Sequence, residues 1–406
     1  IMTNKIIVIV GPTAVGKTKL GVELALKLDG EVISGDSMQI YRTMNIGTAK
    51  VTDEETKGVK HHLIDIKNID ETYSVMEFQK NVRNCIEDIQ SRHKVPIIVG
   101  GTGLYIKAAL YDYVFNEEKQ EQTAKYDHLT NEQLYQELQR IDPKSALEIH
   151  PNNRRRVQRA IEIYEESGQK KSDIMASQQH VCLYDCVFIG LTLPRDVLYE
   201  RINYRVDLMI KEGLLAEVLA LVEKGAKSDY QSMKGIGYRE WFDYIDQKKS
   251  KEEVIEAIKQ NSRRYAKRQY TWFKNQMEIK WFNVCLDDFK QTIDDVLNYL
   301  DNQEYYRKIA FDYRFEDLEP FNVDEIISIT KGYLPNEKKD PTLYDLKHGS
   351  HKVILVIEFD QRKISEDKLK DRYQKLILKN VESYSKNEWK TNGTKIEKWI
   401  EIREKK

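Results

Sequence analysis

Two hydrophobic rhythms alternate along the chain. Short strand-like runs, mostly apolar and β-branched, occur at Ile6–Val10, Glu31–Ser34, Val95–Val99 and Phe188–Leu193, with a last one at Ile279–Val284. Between them apolar residues return at helical spacing: Leu20, Val22, Leu24, Ala25 and Leu28; then Val75, Phe78, Val82, Cys85, Ile86 and Ile89; then Leu198, Ile202, Val206, Met209 and Ile210. Short continuous runs read as strands buried on both faces, and their alternation with amphipathic helices predicts an α/β fold with a parallel sheet. From Asp112 to Gln179 the strand signal disappears and the segment is polar and helical. The expected organisation is a P-loop core in two parts, residues 1–111 and 181–304, interrupted by a helical insertion at 112–180. A separate C-terminal α+β piece at 305–406 is expected to hold a strand at Val353–Phe359 and a helical run from Glu366 to Tyr384.

The first strand runs straight into Gly11-Pro12-Thr13-Ala14-Val15-Gly16-Lys17-Thr18, and a helix follows. Strand, glycine loop and helix is the context that a G-x-x-x-x-G-K-[ST] phosphate loop requires. Gly11 and Gly16 let the backbone turn its N–H groups inward, and the helix N-terminus adds partial positive charge. Lys17 supplies a full charge for phosphates, and the Thr18 hydroxyl is placed to ligate Mg²⁺. Such a loop binds a di- or triphosphate. Many phosphate-loop ATPases end a core strand in an aspartate that holds Mg²⁺ for hydrolysis. Here the third strand ends in Gly100-Gly101-Thr102-Gly103, so the loop is expected to serve something other than water-driven phosphoryl transfer.

Composition narrows the partners. Lys and Arg total 65 against 66 Asp and Glu, so any nucleic-acid surface must be local rather than global. No stretch reaches the roughly 20 apolar residues of a membrane span. The first strand begins so early that no leader is expected. Four scattered cysteines, Cys85, Cys182, Cys186 and Cys285, read as reduced thiols, and the expected setting is cytoplasmic.

Local features add to this. Asp36, in Gly35-Asp36-Ser37-Met38-Gln39, follows the second strand, where open α/β sheets place ligands. It reads equally well as an N-cap. His61-His62 reads as structural rather than as a metal pair. Arg154, Arg155, Arg156 and Arg159 put four arginines in six residues, with Arg155 and Arg159 on one face and Val157, Ile161 and Tyr164 packing inward. Arg201 and Arg205 lie one turn apart and could point at the phosphate loop, although a pair of surface arginines reads as well. A later helix ends Arg263-Arg264-Tyr265-Ala266-Lys267-Arg268-Gln269-Tyr270-Thr271-Trp272-Phe273-Lys274. Its five cations and four rings have the composition of a single-strand or loop-RNA surface, although some rings must be core.

The ordered motifs GPTAVGKT, ISGDSMQIY, IGTAK, VGGTGLY, HPNNRRRVQRAIE, RINYRVDLM, MKGIGYRE and YAKRQYTWFK resemble the bacterial tRNA dimethylallyltransferase family over about residues 5–290. The resemblance implies transfer of a dimethylallyl group from dimethylallyl diphosphate to N6 of the adenosine 3′-adjacent to the anticodon, tRNA position 37. It implies a diphosphate site at Gly11 to Thr18, with Thr13 touching the diphosphate, Arg205 closing on it and Arg201 a neighbour. Asp36 matches the general base, and Thr102 matches a residue beside the target base. tRNA contacts are implied at Asp36, Ser37, Met38 and Gln39; at Arg155, Arg156, Val157, Gln158 and Arg159; at Lys234, Gly235, Ile236, Gly237, Tyr238 and Arg239; and at Lys267, Arg268, Gln269, Tyr270, Thr271, Trp272, Phe273 and Lys274. The implied partners are the tRNA anticodon stem-loop and dimethylallyl diphosphate, with Mg²⁺ as cofactor and the chain a monomer. The segment Asn116–Leu129 is shorter than in the family pattern, so the tRNA-contacting arginine expected there has no counterpart. No cysteine lies beyond Cys285, so the zinc finger of eukaryotic relatives is not expected. The other readings are a P-loop kinase of a small metabolite or nucleotide, an RNA-binding protein with a non-catalytic nucleotide site, and prenylation of free AMP. The kinase would use Arg201 and Arg205 as lid residues, but it leaves the Arg/aromatic helix unexplained.

Overall fold

The computed structural model describes residues 5–111, 113, 123–173, 182–303 and 306–316, then 350–360, 362, 365–368, 371 and 400–404. By internal packing the chain divides into two units. One comprises Ile1–Tyr111, Cys182–Lys308 and Lys405–Lys406, and the other Asp112–Val181 and Ile309–Glu404.

The first unit is built on a six-stranded sheet: β1 (Ile6–Val10), β2 (Gly30–Ser34), β3 (His61–His62), β4 (Val95–Val99), β5 (Cys186–Thr192) and β6 (Lys280–Asn283). Their order is β3-β2-β4-β1-β5-β6, and every pair is parallel. β1 sits between β4 and β5, and all five of its residues are buried, as expected of a parallel strand covered on both faces. Helix α1 (Lys17–Leu28) buries Leu20, Val22, Leu24 and Ala25, the residues that the helical spacing picks out. β3 lies just before the apolar run that begins at Leu63, on two polar residues that carry no strand signal of their own. His62 Nε2 bonds Glu31 at 2.7 Å and His61 Nδ1 bonds the Val59 carbonyl at 2.9 Å, so both histidines are structural.

In the second unit the helices Asn131–Ile141, Pro143–Glu148 and Arg154–Ser167 close around Leu134, Leu138, Ile141, Val157, Ala160 and Ile161. Arg154 fastens this bundle: its guanidinium donates to the carbonyls of Leu129 and Tyr126 at 2.8 and 2.7 Å. Tyr164, expected inside, is 36% exposed, because it falls at the edge of the apolar stripe. The unit also holds strand residues within Tyr306–Glu316, Ser350–Asp360 and Ile400–Glu404, a three-stranded sheet with the first strand in the middle. Ser350–Asp360 contains the expected strand at 353–359. Residues 366–368 are helical, and the rest of the helical run expected to Tyr384 falls mostly outside the described residues.

Candidate active site

β1 delivers the chain into the phosphate loop, and two glycines make the loop possible. Gly11 has φ +144°, and a Cβ there would stand 2.6 Å from the Leu191 carbonyl oxygen on β5. Gly16, at φ +98°, would drive a Cβ to 2.8 Å from Phe289, the first residue of helix Phe289–Gln303. Ala14 also takes a left-handed conformation at φ 67°. Lys17 turns back over the loop and donates to the carbonyls of Gly11 at 2.9 Å and Pro12 at 2.6 Å. Arg201 Nε donates to the Ala14 carbonyl at 3.0 Å, so this arginine braces the loop from outside. Arg205, one turn on, is half-buried, and no described residue accepts a hydrogen bond from its guanidinium.

Charges here are coupled. Burial first and the Arg205 charge second bring the Lys17 ammonium down to about 7, with Asp36 opposing both. Burial raises the Asp36 carboxyl, while the amides of Met38 and Gln39 and the charges of Lys17 and Arg205 pull it back. Burial likewise lowers Arg205, with Glu55 opposing it and Arg201 adding to it. One carboxylate and two cations therefore share a poorly solvated space at the mouth of the phosphate loop.

Asp36 does not start a helix. Its Oδ1 accepts the Met38 N–H at 2.7 Å and the Gln39 N–H at 3.3 Å, closing a tight Asp-centred turn. Oδ2 has no hydrogen-bond partner among the described residues. The turn thus occupies one oxygen and leaves the other open. Ser37 N–H donates to Thr102 Oγ1 at 3.3 Å, which ties the end of β2 to the turn after β4. That junction needs Gly100, where a Cβ would lie 2.4 Å from Gly35 backbone atoms.

Helix Lys251–Gln276 presses its 265, 269 and 272 face onto the same turn. Gln269 Nε2 donates to the Gly101 carbonyl at 3.0 Å, and a Cβ on Gly103 would stand 2.3 Å from the Trp272 ring. Arg264, Lys267, Arg268, Thr271 and Lys274 lie on the opposite, exposed face, spaced for one basic stripe.

Several residues in the implied tRNA-contact runs turn out to be packing residues. Val157 and Phe273 are 0% exposed and Tyr238 is 1% exposed, so their side chains cannot meet RNA. The Tyr238 hydroxyl accepts the Gly47 N–H at 3.1 Å and donates to Glu217. Tyr270 hydrogen-bonds Thr192 and accepts the Leu193 N–H at 3.2 Å. Gln39 spends its amide on Thr48 and Ser34. The reason is shared: a run of consecutive residues on a helix or tight loop must send part of itself inward. Lys234, Ile236 and Arg239 keep some exposure around the buried Tyr238, and Met38 packs 3.4 Å from the position a Cβ on Gly235 would take. Arg155 and Arg156 are exposed, Gln158 pairs with Glu162 at 3.1 Å, and Arg159 approaches Glu162 at 3.4 Å.

Two residues are given no role by the sequence, although Tyr265 opens the YAKRQYTWFK motif. Glu217 accepts the N–H groups of Asn45 and Ile46 at 3.1 and 2.9 Å, clamping the IGTAK loop. Tyr265, half-buried on the same helix face as Gln269, lies within the field of Asp36, and burial first and that charge second raise its phenol to about 12. The i, i+4 spacing of Tyr265 and Gln269 is a visible signal for the second. Nothing local marks the first.

A parallel α/β core with this loop, with Arg205 and Asp36 acting on its lysine, defines a phosphate-loop protein. A family model described as IPP transferase matches residues 39–276, and the chain belongs to that family. It is 52% identical over 306 residues to a tRNA dimethylallyltransferase of Geobacillus thermodenitrificans, covering 74% of this chain and 97% of the relative. Among solved structures, a tRNA isopentenylpyrophosphate transferase from Staphylococcus epidermidis is similar at 46% identity and TM-score 0.56, covering 74% of this chain and 99% of that one. A eukaryotic dimethylallyltransferase acting on tRNA is similar at 27% identity and TM-score 0.66, covering 95% of this chain and 100% of that one. No helix among the described residues is long and apolar enough to cross a membrane.

Proposed function

We propose that this chain transfers a dimethylallyl group from dimethylallyl diphosphate to N6 of the adenosine 3′-adjacent to the anticodon of tRNA, position 37. The observation that carries the mechanism is the divided Asp36 carboxylate, Oδ1 locked by two amides and Oδ2 open, beside Lys17 and Arg205. In the reaction the N6 lone pair attacks C1 of the dimethylallyl group and the C1–O bond breaks. Diphosphate leaves with the bonding pair, and one N6 proton passes to Asp36 Oδ2. The phosphate-loop amides, Lys17 and Arg205 stabilise the charge gathering on the departing diphosphate, with Thr13 alongside. The adenine amine is barely basic, so a placed carboxylate is worth roughly 10²–10⁴-fold.

The donor set suits Mg²⁺ held mainly by its ligand. Among the described residues no cluster of three His, Cys, Asp or Glu side chains could hold a metal. Thr18, at the first turn of α1, is half-buried and has no side-chain partner among the described residues. Its hydroxyl would be the protein's ligand to the cation. When bound, the cation supplies further neutralisation of the leaving group.

The target base must leave the anticodon loop to reach Asp36, at a cost of a few kcal/mol at most for an unpaired base. The exposed Lys267, Arg268 and Lys274 stripe supplies phosphate contacts, as do Arg155 and Arg156 on the insertion. The chain is proposed to act as a cytoplasmic monomer. Incubation with tRNA and dimethylallyl diphosphate should give RNA heavier by one dimethylallyl group, dependent on Mg²⁺. A phosphorylated metabolite from ATP with no prenyl transfer would establish a kinase instead, and tRNA binding with no covalent change would leave only an RNA-binding protein. Turnover of AMP comparable to that of tRNA would make the nucleotide the substrate.

A further inference from the structure

We infer that Glu217 is a positioning residue for the reaction: through the 45–50 loop and Gln39 it holds the turn that presents the Asp36 carboxylate. This rests on the proposed function and names what keeps its base in place.

Glu217 lies in the first turn of helix Leu214–Glu223, 172 residues along the chain from Asn45. Its Oε1 accepts the Asn45 N–H at 3.1 Å, and its Oε2 accepts the Ile46 N–H at 2.9 Å. The Tyr238 hydroxyl donates to the same carboxylate and accepts the Gly47 N–H at 3.1 Å. Successive backbone donors at 45, 46 and 47 are thereby gathered, two directly and one through Tyr238. The fit requires glycine at 47, where a Cβ would stand 2.5 Å from the Tyr238 ring. Tyr238 is 1% exposed, and burial first and the Glu217 charge second push its phenol up, so it stays a donor. A carboxylate suits this place because its two oxygens meet adjacent N–H groups at once, and ionised acceptors make the stronger bonds.

The loop is closed on itself. The Ala49 N–H returns to the Ile46 carbonyl at 3.0 Å, and the Lys50 N–H returns to the Asn45 carbonyl at 3.0 Å. What fixes Asn45 and Ile46 therefore fixes the Thr48 carbonyl, which accepts the Gln39 side-chain amide at 3.1 Å. Gln39 is also a residue of the Asp36 turn, and its own N–H donates to Asp36 Oδ1 at 3.3 Å. A continuous path of hydrogen bonds thus runs from Glu217 to the proposed base. Ser34, which donates to Gln39 Oε1 at 2.9 Å, and Thr102, which accepts the Ser37 N–H at 3.3 Å, tie the same turn to the ends of β2 and β4. The 45–50 loop adds a hold from outside the sheet. Without it the turn keeps its fold but the carboxylate loses its fixed position, and a general base works only within hydrogen-bond reach of its proton.

The test measures single-turnover prenyl transfer at saturating tRNA and dimethylallyl diphosphate. It compares the full chain with Glu217→Ala, Glu217→Gln and Gln39→Met, and repeats Glu217→Ala and Gln39→Met in the Asp36→Asn background. Glu217→Ala should lose roughly 10–10²-fold in rate, the scale of a displacement of about 1 Å at a reacting group, and keep its affinity for dimethylallyl diphosphate. Glu217→Gln retains one acceptor oxygen and should recover most of that loss. In the Asp36→Asn background Glu217→Ala should cost no more than about twofold further, because groups that act as a unit are not additive. An equal loss in both backgrounds would make Glu217 a residue of the fold alone and overturn the inference, as would a wild-type rate. If Glu217→Ala failed to fold, Gln39→Met would decide, since it cuts the path beside Asp36 and leaves every Glu217 bond in place. It should show the same loss, again absent beside Asp36→Asn; a normal rate or an additive loss would overturn the inference. No transfer by the wild-type chain would overturn this inference and the proposed function together, whereas normal wild-type transfer with additive variants overturns this inference alone.

Discussion

Single residues in this site carry two jobs, and the structure separates them. Asp36 was legible as either a cap or a ligand-facing acid because both need a carboxylate after a strand. Only the turn geometry, with Met38 and Gln39 on one oxygen, shows that the turn leaves its second oxygen open. Lys17 was fully legible from G-x-x-x-x-G-K-T, but its electrostatic state was not, since burial and Arg205 arise from distant parts of the chain. Burial brings its ammonium down to about 7, and a bound diphosphate must raise it again. Binding therefore takes up a proton at and above neutral pH, and donor affinity should weaken as pH rises from about 7. Calorimetry in buffers of different ionisation enthalpy measures that uptake directly. Lys17→Ala should abolish both the proton uptake and most turnover while leaving tRNA affinity nearly intact; an equal loss of tRNA affinity would mean that the loop binds RNA backbone.

At the scale of elements, strands and amphipathic helices follow from the two hydrophobic rhythms. The two-residue β3 is too short to show a period, and helix Phe289–Gln303 extends the core beyond the closing strand β6. The Lys251–Gln276 helix shows why composition misleads at this level. Its cations do line an exposed face, yet Phe273, Tyr270 and Trp272 are spent on packing against the sheet and the Gly100–Gly103 turn. Replacing Lys267 and Arg268 together with Ala should raise KM for tRNA and leave KM for the prenyl donor unchanged. It should also lower the salt dependence of binding by roughly 0.7 for each RNA phosphate that the variant no longer neutralises. An unchanged salt slope would make the stripe an ordinary solvated face. The packing of this helix on the turn should be equally sensitive. Gly101→Ala would place a methyl group 2.2 Å from the Gln269 amide, so we expect overpacking to cost about 1–3 kcal/mol in a thermal or denaturant melt and turnover to fall with it.

For the whole molecule, the class of fold was readable but the order of its strands was not. β1, β4 and β5 are neighbours, although a long helical segment separates β4 from β5 in the chain, and no local pattern encodes that pairing. The relatives bear on the remainder. The Geobacillus enzyme is matched over 97% of its own length by 74% of this chain. A chain ended after Gln303 should therefore fold and retain prenyl transfer within a few-fold. Loss of transfer from such a chain, with its thermal transition intact, would assign the residues beyond 303 a part in tRNA binding or catalysis.

The claim on which the mechanism stands is that Asp36 removes the N6 proton. Asn accepts the same two amide hydrogen bonds and caps about as well as Asp. Asp36→Asn should therefore melt like the wild-type chain and bind tRNA and dimethylallyl diphosphate normally. Its single-turnover rate of prenyl transfer should be lower by roughly 10²–10⁴-fold. A folded Asp36→Asn chain that transfers the prenyl group at a near-normal single-turnover rate would contradict the account.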